Sequence, residues 1–204
     1  MSYPKTYRTV RRSAKPYLLT VEITNETLPE SLDPDDVVIR IHAASVNYRD
    51  VAMLHEGGYP LSCNDREIQG KYCAAEIIVV GDAVKIFTLG DRVTVTPNLS
   101  FLTGEENDVE SCALGSETAG AMREYAVYEE KYLVKLPLHL SWEEAATITG
   151  VDITAWVSLD GLKDIPKNAT ALLQGTGGVS VMFLLLCLES GIRPITTCRP
   201  CVPI

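Results

Sequence analysis

The stretch Thr170-Ala-Leu-Leu-Gln174, followed at once by Gly175-Thr176-Gly177-Gly178-Val179-Ser180, decides how the chain is read. A short apolar strand runs straight into a glycine turn, and an apolar run over Val179 to Leu188 follows. Strand, glycine turn and helix in that order open a dinucleotide-binding fold. Gly175 permits the tight turn, and Gly177 or Gly178 lets backbone amides approach a pyrophosphate. The helix start presents unpaired N–H groups and its positive dipole end to the anion. Gly175, Thr176, Gly177, Gly178 and Val179 are therefore the candidate cofactor-binding turn. Ser180 stands where the third glycine of G-x-G-x-x-G would be, so a small residue serves the close helix packing. The plainer alternative is a strand-to-helix connection that needs glycine for its shape. Gly191 can end the helix in the left-handed conformation.

Upstream, Ser141-Trp142-Glu143-Glu144 fits a capping box, with the Ser141 hydroxyl accepting from the third amide and Glu144 reaching back. The sequence predicts a helix from about Trp142, broken near Gly150 and resuming through Thr154 to Leu159. Pro166-Lys167-Asn168 reads as a turn, and Trp142 and Trp156 read as core. The first 140 residues have a different texture, with short alternating runs between Gly, Pro, Asn and Asp clusters. Tyr17 to Thr24, Val37 to Ala43, Ala74 to Val80 and Arg92 to Thr96 read as strands. Ile39, Ile41 and Ala43 share one face, while Arg40 and His42 take the solvent side. Asn98 to Gly120 reads as a long surface loop with solvated acids. A many-stranded β domain over 1–140 followed by an α/β segment over 141–204 is the expected organisation, an α/β chain overall.

The chain has 204 residues, 46% apolar and 22% charged, which is an ordinary globular composition. Its 27 acids against 18 Lys and Arg give a formal charge of −9, which repels nucleic-acid phosphates and anionic membranes alike. The run from Val179 to Leu188 is far below the roughly 20 residues of a spanning helix and reads as a buried helix. The first twenty residues are basic and free of acids, as in a transit peptide. Pro4 and Pro16 break any amphipathic helix there, and a cytoplasmic location is expected. The six cysteines are scattered, so reduced thiols are the expectation. Cys198 and Cys201 form a C-x-x-C pair without a second pair or a following β-α unit. His55 and His139 have no ligand-spaced partners, and neither is given chemistry.

Several segments in fixed order carry a resemblance: Val80-Gly-Asp-Ala-Val-Lys-Ile-Phe-Thr-Leu-Gly-Asp-Arg-Val93, Glu124-Tyr125, Pro137, Leu140 to Ala146, Thr154-Ala155-Trp156 and Leu173 to Val179. Together they resemble the medium-chain dehydrogenase/reductase superfamily over nearly the whole chain. The nearest likeness is to its zinc-independent, quinone-oxidoreductase-like branch, including alcohol dehydrogenase-like proteins and enoyl reductases. That resemblance implies a GroES-like β domain followed by a Rossmann domain, with NADP(H) or NAD(H) between them. It implies hydride transfer to an enone, quinone or related carbonyl compound.

In the zinc members of that superfamily a Cys, a His-Glu pair and a further ligand surround the metal. The matching positions here are Asn47, Lys71-Tyr72 and Gly150, none of them a good zinc ligand, and the structural zinc loop retains only Cys112. No zinc is expected. Without a Lewis acid, hydrogen-bond donors must polarise the substrate carbonyl. Ser45-Val-Asn-Tyr-Arg-Asp50 resembles the family's N-Y-R-D stretch, which makes Asn47, Tyr48, Arg49 and Asp50 the candidate catalytic residues, Asp50 by orienting Arg49 or the loop. The alternative for all four is a turn after a strand. Tyr59 reads as a packing residue beside a tight turn and a weaker candidate for the pocket. Thr154 matches the position beside the nicotinamide and its phosphate, with back-bonding to a carbonyl one turn earlier as the alternative.

The resemblance also implies that the chain stops in the second strand of the cofactor half, where Pro194 removes a ladder donor. Cys198 to Ile204 no longer follow the pattern. Arg199 is the cation that suits a 2′-phosphate, so NADP(H) is favoured over NAD(H). Homo-oligomers are expected of a full-length form. The competing reading is a catalytically inactive GroES-like fragment serving as a binding or oligomerisation module, with the Val179 to Leu188 helix exposing an apolar patch.

Overall fold

The computed structural model describes residues 3–60, 63–106, 108–166 and 168–198. Lys167, Arg199 and Cys201, and with them the Cys198–Cys201 pair and the 2′-phosphate cation, lie outside the described residues. The chain divides into two compact units, Met1–Thr147 and Ile148–Ile204.

In the first unit, strands β1 (Thr6–Arg12) and β2 (Val21–Thr27) pair antiparallel. Five further strands, β3 (Asp36–Ser45), β4 (Tyr72–Val80), β5 (Arg92–Val95), β6 (Tyr125–Glu129) and β7 (Leu133–Lys135), form an antiparallel sheet in the order β6-β3-β4-β5-β7. Val37, Val38 and Ile39 in β3 are wholly buried, and Val37 and Ile39 join Ile77, Val93, Val95 and Leu114 in the main core. Burying each such side chain is worth roughly 1.5–3 kcal/mol, and cutting Ile39 to Ala costs about 2–5 kcal/mol through the cavity it leaves. The register of β3 against β4 shifts between Val38 and Ile39 and again between Ile41 and Ala43, then closes on the pair Ser45 and Tyr72. A bulge bends a strand and re-aims its side chains. Antiparallel pairing sets the end of β3 against the start of β4, with both shifts lying before that end.

The basic amino-terminal segment contributes β1 and pairs beyond β2 as well. Val10 N–H donates to the Met122 carbonyl at 2.8 Å, and Gln69 N–H donates to the Val10 carbonyl at 3.0 Å. Arg40 and His42 are exposed on the solvent side of β3, as expected. There the His42 ring lies parallel to the Trp142 indole, 4.2 Å between centroids, with Nε2 3.1 Å from Glu76 Oε2. One expectation for this unit is corrected. The segment 98–120 is only half a surface loop: Leu114 and Ser116 are fully buried, and the Glu117 carboxylate accepts from Ala113 N–H and Ser116 Oγ instead of facing water.

Helix α2 (Trp142–Ser158) starts at the expected capping box: Glu144 N–H donates to Ser141 Oγ at 3.1 Å and Ser141 N–H to Glu144 Oε2 at 2.8 Å. It continues unbroken through Gly150, contrary to the expected interruption, since one helical glycine costs only about 1 kcal/mol. Trp156 is about half exposed and not core.

In the second unit, β8 (Thr170–Leu173) pairs parallel with β9 (Arg193–Thr196) across α3 (Gly178–Glu189). Gly191 adopts φ +69° and ends the helix as expected. The strand and helix read as buried are largely exposed: Leu172 at 63%, Leu185 at 53% and Leu188 at 61%. The reason is topological, since β8 and β9 form a sheet of two strands and each has a single neighbour among the described residues.

Candidate functional site

The end of β3 delivers Asn47, whose backbone precedes a five-residue helix, α1 (Tyr48–Ala52). Asn47 N–H donates to Asp50 Oδ2 at 2.8 Å, which fastens the entry of the helix. The Asn47 amide is half-buried and turned back on its own strand, with Nδ2 3.4 Å from the Ser45 carbonyl and hydroxyl oxygens. The Tyr48 ring is 83% exposed, with its hydroxyl free of protein partners among the described residues. Arg49 points inward: it is buried, with NH1 donating to the Leu114 carbonyl at 3.0 Å and NH2 to Ser116 Oγ at 3.0 Å. Asp50 is 2% exposed, with Oδ1 3.8 Å from Arg49 NH1. Arg49 Nε and Asp50 Oδ1 have no hydrogen-bond partner among the described residues. The four residues thus share one short helix and its cap, but not one role. Asn47 and Asp50 build the turn, Arg49 ties it to a distant loop, and Tyr48 faces solvent.

Further groups gather at the same place, and sequence reasoning missed them as a set. The Tyr59 ring lies 5.4 Å from the Arg49 guanidinium. Gln69 Nε2 donates to the Asp50 carbonyl at 3.4 Å. Arg12, at 1% exposure, donates to the Gly115 carbonyl at 2.7 Å and the Asn64 carbonyl at 3.0 Å, and burial pushes its pKa down. Lys71 and Tyr72 open β4 beside this cluster. Burial, and then the Arg49 charge, lowers the Lys71 pKa, while Asp50 and Glu117 oppose the change. Burial raises the Tyr72 phenol, as does the neighbouring Tyr59, and Arg49 works against it. Burial likewise raises the Cys63 thiol against the pull of Arg12 and Arg49. The signal available in sequence was the Lys71-Tyr72 pair at the head of a strand that pairs with Ser45.

At the four positions aligned by resemblance with zinc ligands stand the Asn47 amide, the Lys71 amino group, the Tyr72 phenol, whose ionisation burial opposes, and, at Gly150, no side chain. Zn²⁺ takes thiolate, imidazole and carboxylate, so this donor set does not fit it. Among the described residues no group of three or more His, Cys, Asp or Glu is placed to hold a metal.

In the second unit the glycine turn heads α3 with Gly177 as N-cap, capped by no side chain and with no acid in the first turn. Gly175 has φ +82°, a region closed to most side chains, and a Cβ built there or on Gly177 would meet only open space. Gly178 is packed, with its Cβ position 3.1 Å from Val151 Cγ1 of α2. The Gly175 N–H is engaged by Thr197 Oγ1 at 3.0 Å, and Ser180 Oγ donates to the Gln174 carbonyl at 2.9 Å. An uncapped helix start without acids, behind glycines that leave room, fits the diphosphate of a dinucleotide. Thr154, one turn along α2 from Val151, donates its hydroxyl to the Gly150 carbonyl at 3.1 Å, which is the back-bonding alternative, and leaves its oxygen able to accept.

Comparison with known proteins places this arrangement. The alcohol dehydrogenase GroES-like domain family matches residues 33–138. A zinc-type alcohol dehydrogenase-like protein of Schizosaccharomyces pombe is 35% identical over 173 residues, which is 83% of this chain and 50% of that protein. A crotonyl-CoA carboxylase/reductase of Cereibacter sphaeroides is 31% identical over 187 residues, 81% of this chain and 42% of that protein. The crystal structure of an NAD-dependent alcohol dehydrogenase superposes with TM-score 0.78 at 31% identity, covering 94% of this chain and 57% of that one. The chain spans about half the length of the curated relatives it matches. It belongs to the alcohol dehydrogenase GroES-like domain family, and through it to the medium-chain dehydrogenase/reductase superfamily.

Proposed function

We propose that the chain supplies the substrate-binding domain and the first β-α unit of the cofactor domain of an NAD(P)H-dependent oxidoreductase that reduces an enone, quinone or related carbonyl compound without zinc. The glycine turn carries this reading: Gly175 at φ +82° and an uncapped Gly177 lead into α3 behind a parallel strand. A bound nicotinamide dinucleotide supplies the hydride. The chain's own part is to hold the diphosphate on the amides of residues 176–179 and to present Thr154 one turn from Val151, the residue packed on Gly178. In the GroES-like domain, Asn47 and Tyr48 border the substrate, while Arg49 and Asp50 keep α1 in place. Donors aimed at a developing oxyanion are worth about 2.7–4 kcal/mol each where one has been removed. The test is NADPH fluorescence on titration with the 204-residue chain, followed by NADPH oxidation with a panel of enones and quinones. Saturable binding with turnover supports the reading, and absence of both overturns it for this chain.

A second reading rests on the exposed apolar residues of the second unit, Leu172, Val181, Leu185, Leu188 and Ile195. In that reading the chain is a catalytically inactive binding or oligomerisation module. Limited proteolysis separates the two: a resistant amino-terminal core with cleavage between residues 140 and 165 favours the module, and NADPH-dependent protection of residues 165–198 favours the enzyme.

A further inference from the structure

Donors near the end of β3 are mostly spoken for. Arg49 spends NH1 on Leu114 and NH2 on Ser116. Arg12 is wholly buried and spends its guanidinium on two backbone carbonyls. The Asn47 amide leans on Ser45. One cation is different. Lys71 is half-buried at the head of β4, next to the Ser45–Tyr72 pair that joins this strand to the Asn47 turn. Its ammonium makes no hydrogen bond or ion pair among the described residues, and the Tyr72 ring lies 6.0 Å away. The charges that act on it are Arg49, Asp50 and Glu117, two of them buried with α1 and the third held by Ala113 N–H and the Ser116 hydroxyl. An ammonium with no partner among the described residues, on a half-desolvated stem beside the Tyr72 ring, is a proton donor with nothing to donate to.

We propose that Lys71 is the catalytic donor of this site: its ammonium hydrogen-bonds the substrate's carbonyl oxygen and gives that oxygen its proton. The inference rests on the carbonyl-reductase reading above. Hydride from the nicotinamide dinucleotide adds to the carbonyl carbon, or to the β-carbon of an enone, and the C=O π pair moves onto oxygen. An O–H bond then forms as one Nζ–H bond breaks, leaving a neutral amine that water reprotonates. The lowered pKa that burial and Arg49 impose on Lys71 makes it a better acid for this transfer than an exposed lysine.

Two measurements on the full 204-residue chain test the assignment. Competitive acetylation with acetic anhydride, read by peptide mass spectrometry, compares Lys71 with the exposed Lys5 and Lys163 in the presence and absence of cyclohexanone. The ketone should slow acetylation at Lys71 alone; equal labelling with and without ketone overturns the proposal. In steady-state reduction of an enone, Lys71→Met should lower kcat by about a hundredfold with KM changed only a few-fold, and Lys71→Arg should recover part of the loss. Unchanged kcat in Lys71→Met, in a variant whose thermal melting matches the parent, also overturns it. A parent chain that neither binds NADPH nor oxidises it defeats the carbonyl-reductase reading, and the acetylation result still decides Lys71 as a ketone-binding donor.

Discussion

Arg49 reaches Ser116, 67 residues further along the chain, with NH2 donating to Oγ at 3.0 Å, while its NH1 donates to the Leu114 carbonyl at the same distance. A guanidinium committed in this way is a staple between α1 and the 113–118 segment rather than an electrophile. Arg49→Ala would leave Asp50 buried without its nearest cation, and the Leu114 carbonyl without a donor. Loss of one member of a buried pair costs about 3–5 kcal/mol. Urea unfolding of Arg49→Ala should therefore show a lower midpoint by that order with an unchanged slope, and Arg49→Lys should be nearly as damaging because an ammonium cannot span both acceptors. A wild-type midpoint in Arg49→Ala would remove the staple from the account.

Gly177 and Gly175 should part company on substitution. Gly177 sits at φ −74° and ψ 171° with open space around its Cβ position, so Gly177→Ala should fold with an unchanged melting temperature. The added methyl lies where a diphosphate must approach, so dinucleotide affinity should fall by about tenfold or more. Gly175 needs φ +82°, and a side chain there costs about 1–2 kcal/mol. Gly175→Val should lower both melting temperature and affinity. Differential scanning fluorimetry with and without NADPH reads both effects, and equal NADPH affinity in parent and Gly177→Ala would contradict the cofactor role of the turn.

What the sequence made legible was what short-range periodicity governs. The alternation of β3, the Ser141 and Glu144 capping box and the strand-glycine-helix unit all depend on neighbours within a few residues, and each stands in the structure. The rest depends on partners far away in sequence. Arg11 and Arg12 sit in a basic, acid-free stretch, yet Arg12 is buried, and Gly115, 103 residues later, offers its carbonyl. The segment 98–120 has loop composition, yet Leu114 and Ser116 are buried beneath α1 contacts that no local pattern encodes. Arg49 was legible as a member of an N-Y-R-D stretch but not as a staple. Lys71 was legible as a poor zinc ligand but not as an unpaired donor, because its surroundings come from α1 and the 113–118 segment.

Metal addition should leave the chain unchanged. Lys71 stands where a zinc site has an imidazole, Asn47 offers only an amide, and burial opposes ionisation of the Tyr72 phenol, so the set lacks the thiolate, imidazole and carboxylate donors that zinc takes. Dialysis against zinc followed by elemental analysis should recover substoichiometric metal, and EDTA should not shift the thermal midpoint. A retained equivalent of zinc would show that the donor chemistry had been misjudged.

Glu106 makes the acid limb of the pH dependence specific. Its carboxylate accepts from Thr103 N–H at 2.7 Å, Gly104 N–H at 2.7 Å and Leu102 N–H at 2.8 Å, and the backbone bonds, Thr103's foremost, pull its pKa from 4.5 down to about 2. A carboxylate with a depressed folded pKa stabilises its fold fully above its unfolded value and loses that contribution as pH falls through the folded one. The window is therefore from about 4.5 down to about 2. The group lies at the surface, so the effect is local: the turn at 102–106 should loosen while the β sheet keeps its protection. Amide hydrogen exchange at Leu102, Thr103 and Gly104 should rise relative to Val37 and Ile39 as the pH is taken below that window, after correction for intrinsic exchange. Glu106→Gln should produce the same loosening at neutral pH, because a neutral amide oxygen holds the three N–H groups less tightly than a carboxylate. If protection at these amides is the same at neutral pH in the parent and the Gln variant, the carboxylate does not organise the turn.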